Sequence, residues 1–198
     1  SSSAEIMREE GVEARVECIA VSSTGPPRLA IGYSDGFVDV RDYQTLGSIW
    51  RTFHAKGESQ VTDISFSARN AALLISSGTD GRVNLFDITS ATFERTEPSL
   101  GSIVLGEENF PTAIAHSSSG THIVVGTTNG SILYYDWRRR EAPTFEVPEG
   151  EAHAPHAVTA ICFESTVKPA SAPSTPKRPK RLGSGAVKSP LRSGDRAK

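Results

Sequence analysis

The sequence predicts an all-β fold in which one short antiparallel sheet is repeated three times. Apolar and polar residues alternate in three stretches that start at Val16, Val61 and Phe110. In every copy a Gly lies 20 residues after the start and an Asp lies 26 residues after it. Chance does not readily keep two spacings fixed in three copies, so the pattern indicates a structural repeat.

Each copy contains a tight turn between two apolar runs and ends in an aspartate. An Asp-Gly or Asn-Gly pair in that place predicts a two-residue hairpin of type I′, because this turn has a positive φ at both central residues. The predicted turn and repeat-end residues are Asp35, Gly36 and Asp42; Asp80, Gly81 and Asp87; and Asn129, Gly130 and Asp136.

A fourth, outer strand fits into the gap that follows each copy. The candidate outer strands are Ser48 to Phe53, Gly101 to Leu105, and Thr144 to Val147. Four short strands in a repeat of 45 to 49 residues are typical of one blade of a WD40-type β-propeller. We therefore expect a linker or the end of a preceding blade at 1–15, and then blades at 16–60, 61–109 and 110–157.

The repeat starts a fourth time at Val158 but does not continue. Residues 158–166 predict the inner strand of a closing blade, and no second or third strand follows before Pro169. A propeller needs about four to eight blades to close. Three blades and one orphan strand leave the ring open, so we expect the missing N-terminal blades to lie upstream of Ser1.

The ends of the repeats resemble the ends of WD40 repeats, which carry a Trp-Asp dipeptide. Phe86-Asp87 and Tyr135-Asp136 stand in that place, and Arg41-Asp42 keeps only the aspartate. The repeats are therefore similar to the WD40 type with diverged ends.

The histidines just ahead of two strand starts strengthen this resemblance. His54 and His153 lie where WD40 repeats commonly carry a loop histidine. The resemblance implies that this histidine, the turn aspartate and a strand hydroxyl form a buried hydrogen-bonded set. Asp35 and Asp80 match the turn aspartate and Asn129 matches it only in part, so we expect an incomplete network.

The later repeats resemble one WD40 family in particular. The similar segments are residues 111–115, 130–138, 152–153 and 158–166, within a likeness that covers about 16–166. They resemble the last blades of the γ-tubulin-complex targeting WD-repeat family. The resemblance implies a non-catalytic scaffold that recruits the γ-tubulin ring complex, with augmin or spindle components as further partners. It would serve microtubule nucleation and mitotic spindle assembly.

Two points stay open within the resemblance. It places the protein in the cytoplasm and cytoskeleton, at the centrosome or spindle pole, and leaves the nucleus open. The alternative function is a different WD40 adaptor, such as a ubiquitin-ligase substrate receptor or a subunit of a trafficking or assembly complex.

The C-terminal part, residues 167–198, differs from the rest in charge and composition. It holds nine of the 21 Lys and Arg residues and one acidic residue, so its net charge is +8. The preceding residues hold 12 basic and 22 acidic side chains, which gives a net charge of −10. Rich in Ser, Pro and Gly, the C-terminal part cannot bury enough apolar surface to offset its ordering entropy, and we expect it to be disordered.

Phosphorylation and charge are the predicted chemistry of this tail. The proline-directed candidates are Thr175 and Ser189, and a phosphate at either would reduce the positive charge. The basic patch suits a nuclear-import signal, acidic tubulin tails or nucleic acid, of which nucleic acid is the least favoured; its residues are Lys177, Arg178, Lys180 and Arg181.

Catalysis, metal binding and membrane insertion find little support. Cys18 and Cys162 are too few for a disulfide framework or a metal site, and His153, His156 and Cys162 lack a fourth ligand. The sequence has no phosphate-binding loop or nucleophile elbow, and no apolar run near the roughly 20 residues that span a bilayer. We expect no enzyme activity, cofactor or membrane contact; a cluster of ionisable residues in the central channel would indicate an enzyme instead.

Overall fold

The computed structural model describes residues 14–55, 59–89, 100–105, 109–148 and 156–163, and these contain twelve β-strands. The first sheet consists of β1 (Val16–Val21), β2 (Arg28–Tyr33), β3 (Phe37–Asp42) and β4 (Ser48–Phe53). The second consists of β5 (Val61–Phe66), β6 (Leu73–Gly78), β7 (Arg82–Asp87) and β8 (Gly101–Val104). The third consists of β9 (Pro111–His116), β10 (His122–Thr127), β11 (Ile132–Asp136) and β12 (Phe145–Val147).

Each sheet is an antiparallel meander whose strands lie in chain order. The predicted all-β fold of three four-stranded sheets is therefore confirmed. The outer strands β8 and β12 are each one residue shorter than the sequence predicted. Within the described ranges, no helix is long and apolar enough to cross a membrane.

The tight turns are not of the predicted type I′. Gly36, Gly81 and Gly130 have φ values of 81°, 75° and 89°, but Leu46 is the single non-glycine with a positive φ among the described residues. The amide of Gly36 donates to the carbonyl of Tyr33 at 3.1 Å, and the other two turns repeat this bond. Each loop is thus a type I turn followed by a glycine bulge, the usual form of a three-residue hairpin.

The sheets stack face to face through two apolar layers. The first layer lies between the first and second sheets and includes Val38, Trp50 and Val61; the second lies between the second and third and includes Ile75 and Ile123. The inner strands contact each other in sequence, β1 with β5 and β5 with β9. Burying one such aliphatic side chain contributes about 1.5–3 kcal/mol, so the stacked arrangement rests on these layers.

The outer face of β1 is unlike the matching faces of the later sheets. Val61 and Ile64 of β5 are 0% and 3% exposed because they pack against the first sheet. Their counterparts in β1, Val16 and Ile19, are 56% and 64% exposed. The first sheet therefore presents to solvent an apolar strip that the repeat buries elsewhere.

The segment from Val158 to Phe163, which the sequence predicts as an inner strand that needs partners from elsewhere, belongs to none of the three sheets. It lies against the third sheet as β9 lies against the second: the Thr112 hydroxyl donates to the Val158 carbonyl at 2.5 Å, and the Thr62 hydroxyl donates to the Pro111 carbonyl at 2.8 Å. The Val158 amide also donates to the Thr127 carbonyl at the end of β10 at 3.1 Å, but no strand among the described residues pairs with the segment along its length. It has the position of an inner strand without the partners.

Candidate functional site

A buried histidine organises the polar centre of the second sheet. The side chain of His54 has no exposed surface. Its Nδ1 lies 2.6 Å from Ser76 Oγ and its Nε2 lies 3.1 Å from Asp80 Oδ1. Each ring nitrogen thus has one polar partner, and which of them donates depends on the tautomer of the ring. The loop after β4 is thereby joined to β6 and to the turn before β7.

The electrostatics of Asp80 follow from this contact. Partial burial by itself would raise the pKa of Asp80. The hydrogen bond and charge interaction with His54, assisted by the neighbouring Arg82, outweigh the burial and hold that pKa below its ordinary value. Asp80 therefore stays ionised at neutral pH and keeps the imidazole in place.

Two further side chains extend the network outward. Asn84 Nδ2 donates to the His54 carbonyl at 2.6 Å, and the Ser102 hydroxyl donates to Asn84 Oδ1 at 2.6 Å. Gly78 leaves room for the ring, since a Cβ at this position would lie 2.5 Å from two ring atoms of His54. Sequence reasoning named His54 and Asp80 but missed Asn84 and Ser102. An amide in the middle of the apolar run of β7 was the available signal.

The equivalent turn residues of the other sheets accept hydrogen bonds within their own turns. Asp35 Oδ1 accepts the amide of Phe37 at 3.1 Å. Asn129 Oδ1 accepts the amide of Ser131 at 3.1 Å and the hydroxyl of Thr127 at 2.5 Å. These bonds stabilise the turns themselves, and Asp80 additionally bonds to His54 in the loop after β4.

The aspartates that end the repeats brace the loops that follow them. Asp42 Oδ1 accepts the amides of Gln44 and Thr45 at 3.0 and 2.8 Å, and bonds from the Thr45 amide and hydroxyl lower the pKa of Asp42. Asp87 Oδ1 accepts the amide of Thr89, and Asp136 Oδ1 accepts that of Arg138. All three are structural loop residues in this arrangement.

An open groove of about 580 Å³ runs along the inner strands. Its ionisable lining includes Cys18, Asp63 and His116. Burial raises the pKa of Cys18 to about 12, so the thiol is protonated at neutral pH and is not an activated nucleophile. Asp63 accepts the amides of Ile114 and Ile64 at 2.7 and 2.8 Å and so joins β5 to β9, although its burial raises its pKa.

Some predicted residues lie outside the described ranges. These are His153, the candidate phosphosites Thr175 and Ser189, and the basic patch of Lys177, Arg178, Lys180 and Arg181. Within the described ranges, no three His, Cys, Asp or Glu side chains are grouped so as to hold a metal ion.

Comparison with known proteins agrees with the geometry. The family model WD40 (WD domain, G-beta repeat) matches residues 47–87, which contain His54, Ser76 and Asp80. A chain in the crystal structure of the Mitotic Checkpoint Complex superposes with a TM-score of 0.61 at 21% identity. The alignment covers 75% of this chain and 42% of that chain. No curated protein matches the chain.

These findings establish the fold. The chain contains a WD40 repeat, and its three sheets have the architecture of a WD40 β-propeller fragment. The matched repeat is shared by two sheets, since it begins just before the outer strand of the first sheet and ends with the third strand of the second. The His54 network therefore joins neighbouring sheets within one repeat.

Proposed function

We propose that this protein is a non-catalytic interaction scaffold that recruits the γ-tubulin ring complex to the centrosome or spindle. The observation that carries the scaffold role is the WD40 repeat at 47–87 within a stack of sheets that holds its loops in place by buried hydrogen bonds.

The γ-tubulin assignment depends on the sequence resemblance over about 16–166. Under this proposal the sheets contact augmin or spindle components, and the tail at 167–198 adjusts the attraction through its +8 charge. Phosphate at Thr175 or Ser189 would reduce that charge and weaken binding to an acidic surface. A different WD40 adaptor, serving a ubiquitin ligase or a trafficking complex, is the second candidate.

The test is affinity capture from a mitotic cell extract with the whole chain immobilised, followed by quantitative mass spectrometry. The matched control is Ile64→Asp, which places a charge in the layer between the first and second sheets but leaves the tail intact. Enrichment of γ-tubulin complex or augmin subunits on the folded chain alone is expected. Ligase or coat subunits without them would overturn the γ-tubulin assignment, and equal capture by Ile64→Asp would overturn a role for the sheets.

A further inference from the structure

One pattern of three side chains recurs on the inner strand of every sheet. In β5 it consists of Val61, Ile64 and Phe66, which pack into the layer between the first and second sheets. The same intervals of three and two residues select three further sets, which are Val16, Ile19 and Val21 in β1, Pro111, Ile114 and His116 in β9, and Val158, Ile161 and Phe163 after the third sheet. We call each set an inner triad. The chain therefore carries an inner triad for each of its three sheets and one more.

An inner triad packs on the sheet that precedes it in the chain, and a glycine notch receives its first residue. A Cβ at Gly32 would lie 2.6 Å from Val61 Cγ1, and a Cβ at Gly126 would lie 2.5 Å from Val158 Cγ1. Both glycines are the fifth residue of the second strand of their sheet. Val158 therefore lies on the third sheet as Val61 lies on the first.

The segment Val158–Phe163, which we call the strap, carries the extra triad and lies against the third sheet. Val158 is 5% exposed; its amide donates to the Thr127 carbonyl at 3.1 Å, and its carbonyl accepts the Thr112 hydroxyl at 2.5 Å. No strand among the described residues pairs with the strap. The strap can therefore leave the third sheet without breaking a ladder of backbone hydrogen bonds.

The strap covers less of the third sheet than a whole sheet covers of the first. Val40 and Trp50 are 0% and 8% exposed, because the second sheet packs on them. Tyr134 and Phe145 are the matching cross-strand pair of the third sheet. Phe163 of the strap contacts the Tyr134 ring edge-on at 6.4 Å, but Phe145 remains 63% exposed. The third sheet thus keeps an open apolar face where the first sheet has a buried one.

The inner triad of β1 packs on no sheet among the described residues. Val16, Ile19 and Val21 are all more than half exposed. The first two of them, a valine and an isoleucine three positions apart, repeat those of β5 and of the strap. The side chains that β1 presents to solvent therefore match those with which the strap fills the Gly126 notch. Contiguous exposed apolar surface is typical of an interaction site.

We propose that β1 of a second copy of this chain competes with the strap for the third sheet, so that copies join head to tail when the strap leaves. The occupant is a second copy because its β1 carries the matching triad. The rest of its first sheet then extends over the face around Phe145, as the second sheet extends over Trp50. Such a contact is heterologous, since it joins two different surfaces. It reuses the packing between sheets that the chain already makes twice.

The strap has an advantage over β1 of another copy because it belongs to the same chain as the third sheet. It follows β12 closely in sequence, and a short connection gives an effective concentration in roughly the millimolar range. The wild-type chain is therefore expected to be monomeric at about micromolar concentration. Weakening the strap removes this advantage and exposes the Gly126 notch to β1 of other copies.

The test is sedimentation velocity of the whole chain, in reducing buffer because Cys18 and Cys162 are not in a disulfide. Val158→Asp puts a charge into the Gly126 notch and so releases the strap without changing any residue of the three sheets. Burial of one valine side chain shifts an equilibrium by about tenfold or more. Val158→Asp should therefore self-associate with a dissociation constant at least about tenfold below that of the wild type.

Further variants keep this test specific. Ile161→Asp, at a half-buried position of the strap, is a second release variant with the same expected result. Ile19→Asp, added to Val158→Asp, disrupts the triad of β1 and should return the chain to a monomer. The matched control for this addition is Val104→Asp, which should leave self-association unchanged because Val104 is 65% exposed on the outer strand of another sheet. Tryptophan fluorescence verifies that the sheets of each variant remain folded.

A labelled peptide with the sequence of residues 14–22 gives an independent measurement by fluorescence anisotropy. It should bind Val158→Asp at least about tenfold more tightly than the wild-type chain, because the strap no longer fills the notch. Monomers at every concentration for both strap variants, assemblies that survive Ile19→Asp, or equal binding of the peptide to wild type and Val158→Asp would each overturn the inference. These measurements need no partner protein, so this inference and the proposed scaffold function can fail separately.

Discussion

Replacing His54 with alanine tests the central structural claim, that one imidazole joins the loop after β4 to β6 and to the turn before β7. The side chain is fully buried. Its removal takes away the partner of Ser76 Oγ and one of the two partners of Asp80 Oδ1, which still accepts the Arg82 amide, and leaves a space the size of the ring. Ser76 has no exposed surface, so water does not readily replace the lost partner.

The magnitude follows from the two bonds. A neutral hydrogen bond contributes about 0.5–1.5 kcal/mol and one to a charged group about 1.5–3 kcal/mol. Their loss predicts that His54→Ala lowers the free energy of unfolding by about 2–4.5 kcal/mol. That is a large share of the roughly 5–15 kcal/mol that stabilises a typical protein.

Urea unfolding of the whole chain, followed by Trp fluorescence, measures this loss. With a slope of about 2 kcal/mol per molar urea, the midpoint should fall by about 1–2 M. The control is His122→Ala: this half-buried ring bonds to Thr121 Oγ1 at 2.9 Å and stacks on Tyr134 at 5.0 Å, so its loss should cost about 1 kcal/mol. A loss below 1 kcal/mol for His54→Ala, or one no greater than the control's, would refute the reasoning.

Three further predictions concern single positions. The pKa of Asp80 is lowered in the folded state, so the ionised carboxylate stabilises the fold above the unfolded pKa of about 4, and this stabilisation is lost as pH falls through the folded pKa. The difference in unfolding free energy between wild type and Asp80→Asn should therefore shrink from pH 7 to pH 3. A constant difference would contradict this prediction. Leu46 is 55% exposed and has a φ of 57°, a left-handed conformation that strains an L-residue. Leu46→Gly should raise Tm by about 2 °C, because relief of about 1–2 kcal/mol of backbone strain exceeds the entropy that glycine adds to the unfolded chain. A lower Tm would argue against strain at this position. Gly78→Ala should lower the free energy of unfolding in urea by about 2 kcal/mol or more, because the new Cβ would lie 2.5 Å from the His54 ring. The control Gly47→Ala, whose Cβ would have its nearest contact at 3.4 Å, should cost clearly less. Equal losses of unfolding free energy would exclude the clash.

Local pattern was sufficient to predict the strands. Alternation of apolar residues specifies which face of a strand is buried, and a glycine at a fixed offset specifies where the chain reverses, because both depend on residues close together in sequence. The twelve strands therefore agree with the sequence to within a residue at most ends. The turn type was predicted wrongly, because the same Asp-Gly pair serves a type I turn with a glycine bulge, in which Asp35 keeps a negative φ.

The tertiary structure decided which distant residues meet. His54 and Asp80 were recognisable from their spacing, but their partners Asn84 and Ser102 acquire a role only when β4, β7 and β8 come together. The contact between Arg140 and the Leu100 carbonyl was equally invisible, since the run at 138–140 was interpreted as loop charge until packing brought Arg140 beside the second sheet. Sequence by itself determined the repeat and its strands and turns, because these depend on residues that are close together in the chain. Contacts between sheets depend on how the apolar faces stack, and only the tertiary structure decides which residues then meet.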